Sequence, residues 1–244
     1  MKHILLTVLF STAAVAQLPD GYYDFRGGKG GIPGGKAAGP PGKSMGAAKD
    51  AALNAILSQT PKSLKGPYKA KILETQPLEH HTIYAPSDPP PTGQKWPGFI
   101  YHNNGCLAIG KVDQKIVLEI SSYGYYVVAD GNINATFTSG PGGGPNFAPS
   151  DTGVKAIEWV VDQADKGKLP DVDATKFGVG GTSCGGILSY NTLQHKRVLA
   201  AAIISSGLFG GAGRDKLKDL KKPIGYFEGG PFDGGELTLA SSPS

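Results

Sequence analysis

The sequence predicts an α/β protein whose mostly parallel sheet is covered by helices on both faces. Three observations carry that expectation. Two short strand-like runs joined by a turn open the ordered-looking region. Apolar strands then alternate with helical periods as far as residue 227. A serine set between glycines stands where an apolar strand gives way to a helix. The length of 244 residues suits one domain with appendages, and no internal repeat is visible.

In chain order, residues 1–16 read as a secretory signal peptide. Lys2 and His3 form a short basic start, Ile4 to Phe10 is nearly all apolar, and Ala14-Val15-Ala16 supplies the small residues for cleavage before Gln17. The apolar run is shorter than the ~20 residues of a membrane span. The expected product is secreted, with no membrane span after cleavage, and its two cysteines are free to oxidise. Secretion also makes the sequon Asn134-Ala135-Thr136 a glycosylation candidate.

Residues 17–66 form an arm. Much of the excess in 37 Gly and 19 Pro falls in residues 27–46, which have no apolar face to bury and read as a flexible tether. Gly42-Lys43-Ser44 is not a phosphate loop, because position 37 is Ala and no strand leads in. A short helical piece is expected near 47–57.

Residues 67–244 carry the α/β domain. Strands are expected at 68–73 and 81–85, turning through Gln76-Pro77, then at 98–101 after the break of Pro89-Pro90-Pro91. Val112, Ile116, Val117 and Ile120 mark a helix over 112–123, followed by a strand at 125–129. After a Gly/Pro-rich loop at 137–149, Ser150 or Asp151 is placed to cap a helix that turns Val154, Ile157, Val160 and Val161 inward. A strand at 177–180, a helix from Cys184 to about Gln194, a strand at 198–204, a helical turn at 215–220 and a strand at 224–227 complete the pattern.

Charge and cysteine count exclude several functions. A net charge of +4 with no long basic face makes nucleic acid a poor partner. Two Cys rule out a disulfide-dense scaffold and a four-Cys zinc site.

The motif that carries chemistry is Gly181-Thr182-Ser183-Cys184-Gly185, a G-x-S-x-G. Its glycines suit a sharp strand-to-helix turn, where a side chain two positions either side of the serine would strike neighbouring backbone. The competing reading is a glycine-rich turn whose Ser183 merely caps the helix. A nucleophilic Ser183 needs oxyanion donors. The backbone N–H of Cys184 is one, and the loop His102-Asn103-Asn104-Gly105-Cys106 supplies the other, from its backbone or from the Asn103 or Asn104 side chain.

That loop belongs to a longer series of motifs. It continues through Glu119-Ile120-Ser121-Ser122-Tyr123-Gly124, the strand at 125–129 and Ala156-Ile157-Glu158-Trp159-Val160-Val161. Val172-Asp173-Ala174, residues 181–186, Lys222-Pro223-Ile224 and Gly229-Gly230-Pro231 follow. From about residue 68 to 233 the chain resembles the secreted fungal α/β-hydrolases of the dienelactone-hydrolase-like and chlorophyllase-like kind. The resemblance implies an α/β-hydrolase fold and a secreted serine hydrolase acting on small-molecule or polymeric carboxylic esters, with no metal or organic cofactor. It implies a triad in the order Ser183, then an acid at Asp233, then a histidine in a Gly-His-Gly-type loop. That loop does not occur before Ser244, so the sequence reads as C-terminally incomplete, without a final strand and helix. The chain departs from the family's usual G-N-G-G-C at the donor loop, where His102 and Asn104 stand in place of two glycines.

None of the five His is a good base. His3 is in the leader, His80 and His81 are in the hairpin, His102 is on the oxyanion side, and His195 is about 18 Å along the helix after Ser183. If Cys106 and Cys184 both flank the oxyanion site, their backbones approach closely enough for a disulfide; two free thiols are the alternative. A second functional reading is therefore a catalytically inactive relative that binds a ligand or partner. A third makes residues 27–49 an interaction arm for acidic polysaccharide, against a plain solvated linker.

Overall fold

The computed structural model describes residues 60–61, 63–140, 145–208, 217 and 220–228. The leader, the arm, the helical piece expected near 47–57, most of the turn at 215–220, Gly229-Gly230-Pro231 and Asp233 lie outside the described residues.

Seven strands form one mixed sheet. In chain order they are β1 (Ala70–Ile72), β2 (His81–Pro86), β3 (Trp96–His102), β4 (Tyr126–Asp130), β5 (Val172–Thr182), β6 (Val198–Ile204) and β7 (Ile224–Phe227). Across the sheet the order is β1-β2-β4-β3-β5-β6-β7. β1 with β2 and β2 with β4 are antiparallel, and every later pair is parallel. A mixed α/β sheet with an antiparallel start is thus what the chain forms. Among the described residues the α-helices α1 (Gln114–Ser122), α2 (Thr152–Asp165) and α3 (Cys184–Leu193) make the covering layers, and a short 3-10 turn lies at Asn104–Cys106.

The pleat sends successive side chains to opposite faces. Tyr84, Tyr101, Val127 and Ala129 point to the face covered by α1, where Val117 and Leu118 meet them. Ile83, Ile100 and Val128 are equally buried on the other face, where α2 contributes Ala156, Ile157 and Val160. Val154 and Val161 are only half-buried flanks of that stripe. The last two strands are less covered, and Leu199 and Phe227 are 54% and 59% exposed.

Several expected boundaries move. β1 is only three residues long. β5 begins at Val172, not 177, because Val172 pairs with Trp96 ahead of a register shift at Pro97/Gly98. α1 stops at Ser122 because Gly124 takes φ +92, a left-handed ending open to glycine at little cost. Asp151 holds the N-cap position of α2 but makes no cap bond. Its backbone (φ −99, ψ 3) is not extended as capping requires, and its carboxylate pairs instead with Lys155 at 2.8 Å.

Candidate active site

Every parallel strand delivers its C-terminal end to the same edge of the sheet, the usual place for ligands in such sheets. Ser183 sits there, immediately after β5. It has φ 54 and ψ −120, a conformation costly for a residue with a Cβ, by about 1–3 kcal/mol. It occupies the N-cap position of α3, yet its side chain makes no cap hydrogen bond, so the capping explanation of the motif does not apply. The turn is held by backbone instead. Ser183 N–H donates to the Ile204 carbonyl at 2.9 Å, and its own carbonyl accepts from Gly186 N–H and from the Ser206 hydroxyl.

The flanking glycines are required by contact. A Cβ on Gly181 would lie 2.6 Å from the His102 carbonyl oxygen, and one on Gly185 2.5 Å from the His102 carbonyl carbon and 2.6 Å from the Asn103 oxygen. Real Cβ atoms essentially never come within 3.0 Å of such neighbours. The elbow and the loop after β3 therefore touch backbone to backbone.

In that loop the sequence assigns Asn103, Asn104 and Gly105 as oxyanion donors beside Cys184. Asn103 does not offer its amide. It is fully buried, and its Nδ2 donates to the carbonyls of Leu107, Ile109 and Asp130 at 3.0, 3.0 and 2.7 Å. The residue braces the loop from below. The Asn104 backbone N–H is also engaged, donating to Asp113 Oδ2 at 2.7 Å. Among the described residues no acceptor meets the N–H of Cys184 or of Gly105. Cys106 and Cys184 form a disulfide with their Cα atoms 5.1 Å apart, binding the loop after β3 to the residue after Ser183. The next stretch of loop is pinned by Ala108 N–H to the Asn146 carbonyl and Ala148 N–H to the Cys106 carbonyl, both 2.8 Å.

Two polar clusters support this arrangement, one on each face of the sheet, and the sequence hid both. On the α2/α3 face the imidazole of His102 is 0% exposed. Its Nδ1 is 2.8 Å from Asp130 Oδ2 and its Nε2 2.9 Å from the Thr192 hydroxyl. Gly153 of α2 makes room for the ring, since a Cβ there would stand 2.8 Å from both Cε1 and Nε2. Beside it His81 bonds Thr152 through Nε2 at 3.0 Å and faces the Glu79 carbonyl through Nδ1 at 2.9 Å.

On the α1 face Tyr101 is fully buried, with its hydroxyl 2.7 Å from Thr182 Oγ1 and 3.3 Å from Asp113 Oδ2. Burial pushes the Asp113 carboxyl up from 3.8 to about 6, against the opposing pull of the Asn104 and Tyr101 hydrogen bonds. Burial also raises the Tyr101 hydroxyl far above the usual phenol range.

No histidine among the described residues faces Ser183. His102 and His81 are committed inside the fold, and exposed His80 lies against Glu79 at 3.3 Å. His195 follows the far end of α3, where burial lowers its basicity. Among the described residues no group of three His, Cys, Asp or Glu side chains is placed to hold a metal ion, and no helix is long and apolar enough to cross a membrane. Asn134 is exposed on a turn beyond β4. Two shallow surface hollows lie along β1, one at Leu64, Tyr68 and Ala70 and the other at Ile72, Leu73 and Glu74; neither is lined by Ser183. No protein-family model matches the chain, and no curated protein matches it either.

Proposed function

We propose that the chain is a secreted serine hydrolase of the α/β-hydrolase fold that cleaves carboxylic esters through Ser183. The observation that carries the reading is the strained, uncapped serine on a strand-to-helix turn whose flanking glycines seat it against the β3 loop. The strand order, with its antiparallel start and parallel remainder, supports the same fold. In this mechanism the Ser183 oxygen attacks the ester carbonyl as its proton passes to a general base. The ester C–O bond breaks as the departing alcohol takes that proton, and water then frees the acid from Ser183. The developing oxyanion takes hydrogen bonds from the Cys184 and Gly105 N–H groups, which no described residue engages and which the disulfide keeps together. Asp233 is the proposed acid that orients the base. Secretion and glycosylation at Asn134 belong to the same proposal and rest on the leader and the sequon.

One observation favours a second reading, a catalytically inactive relative that binds a ligand or partner. No described histidine faces Ser183, and a serine without a base is a poor nucleophile, with losses of several orders of magnitude when a triad member is removed. Labelling with a fluorophosphonate separates the two. The hydrolase reading expects stoichiometric modification of Ser183 that Ser183→Ala abolishes. A folded, unmodified wild-type chain would leave the binding reading in place.

A further inference from the structure

Asp113 stands at the N-cap position of α1, where a carboxylate would ordinarily accept N–H groups of the first helical turn, and it makes no such bond. Its backbone carbonyl takes the Ile116 and Val117 N–H groups at 2.9 and 3.1 Å, while its side chain turns back toward the sheet. There a single oxygen, Oδ2, accepts both the Asn104 N–H at 2.7 Å and the Tyr101 hydroxyl at 3.3 Å. The one phenolic proton of Tyr101 is thereby committed, so the Thr182 hydroxyl donates to Tyr101 at 2.7 Å. The chain of bonds runs from the residue before Ser183, through β3 and the start of α1, to the middle of the donor loop.

We propose that Asp113 is a positioning residue, which fixes the 103–105 loop against the Ser183 elbow through this Thr182–Tyr101–Asp113–Asn104 chain. The proposal rests on the serine-hydrolase reading and deepens it. It explains why the carboxylate forgoes the helix cap. It also explains why a half-buried acid sits where burial disfavours its charge. The Asn104 N–H it draws away is adjacent to Gly105, so the turn that aims the Gly105 N–H is set by Asp113 Oδ2. Besides that N–H, the titratable groups facing the carboxylate among the described residues are Tyr101 from β3 and Tyr84 from β2, and both stay protonated through neutral pH. Asp113 is the member of the cluster that changes charge, and its ionised form grips the Asn104 N–H more strongly.

The test uses the full chain, wild type against Asp113→Asn and Asp113→Ala, with two readouts. The first is the pH titration of the Asn104 backbone amide by NMR. The second is the rate of Ser183 labelling by a fluorophosphonate between pH 4.5 and 8.5. The expected wild-type amide shift titrates with a midpoint near 6 and is flat in Asp113→Asn. Labelling at pH 8 falls at least tenfold in Asp113→Ala. It falls below pH 6 in the wild type, while Asp113→Asn, which keeps an acceptor oxygen, recovers most of the rate and loses the acid limb. A purely fold-holding Asp113 would lower stability without moving the pH profile. Equal labelling of Asp113→Ala and wild type, or an Asn104 amide indifferent to pH, overturns the proposal. A wild-type chain that never labels while its Asn104 amide still titrates instead sinks the hydrolase reading, and this role with it. If Asp113→Ala does not fold, the acid limb of wild type against Asp113→Asn decides.

Discussion

Replacing Gly185 by Ala tests the contact on which the whole elbow depends. The added methyl would collide with the His102 carbonyl oxygen and meet its carbonyl carbon at 2.5 Å and the Asn103 oxygen at 2.6 Å, against the 3.4 Å at which ordinary contact begins. A gap of more than 1 Å must open between two backbones, and the Cys106–Cys184 disulfide beside them resists the opening. Overpacking of this kind costs about 1–3 kcal/mol, and rigid backbone on both sides puts it at the upper end. Alanine returns up to ~1 kcal/mol of helix propensity within α3. The net expected loss is about 2 kcal/mol, or roughly 4–8 °C in melting temperature for a domain of this size. Gly186→Ala gains the same propensity but is crowded as well, with Ser206 Cβ at 2.5 Å, Oγ at 2.6 Å and the Gly181 carbonyl oxygen at 3.3 Å, so wild type is the reference. Urea unfolding followed by the fluorescence of Trp96 and Trp159, with the disulfide intact, reads both. A Gly185→Ala protein as stable as wild type would mean that the elbow does not rest on the β3 loop, and the reasoning from glycine to nucleophile would fail.

Other outcomes follow from the same geometry. Cys106→Ala with Cys184→Ala releases a loop of 78 residues, and loop-closure entropy sets the expected loss at about 4 kcal/mol by denaturant titration; a loss below ~1 kcal/mol would show that the bridge constrains nothing. His102→Ala strands the buried Asp130 carboxylate, whose Oδ1 already has no partner among the described residues, and should cost roughly 3–5 kcal/mol; a change within ~1 kcal/mol contradicts the pairing. For Asp113 the folded value, about 6, lies above 3.8, so its contribution is fully favourable below about pH 4 and is lost as pH rises through 6. Asp113→Asn should therefore gain stability over wild type between pH 5 and 8, by at most ~3 kcal/mol, and a difference that does not change with pH would contradict the burial argument.

Much of the architecture was legible because it is local. The period of apolar residues marked α1 and α2, fully apolar runs marked β4 and β6, and Gln76-Pro77 marked the turn between antiparallel β1 and β2. Glycines at 181 and 185 followed from the shape of a strand-to-helix turn, and the closeness of Cys106 and Cys184 followed from where the two segments would have to meet.

What the sequence by itself determined is the run of strands and helices and the pairing of a constrained serine with a polar loop, since these depend on neighbours a few residues apart. The tertiary structure alone decided the strand order and the fate of each polar side chain near that serine. His102 finds Asp130 and Thr192, 28 and 90 residues away, and Asp113 abandons its own helix cap for partners on β3 and in the donor loop. Asn103 has the composition of an oxyanion donor and the surroundings of a brace. Hydrogen-bond partners at such separations are set by which strands lie side by side. A buried polar group must take whatever partner that order brings within reach, and periodicity along the chain carries no record of it.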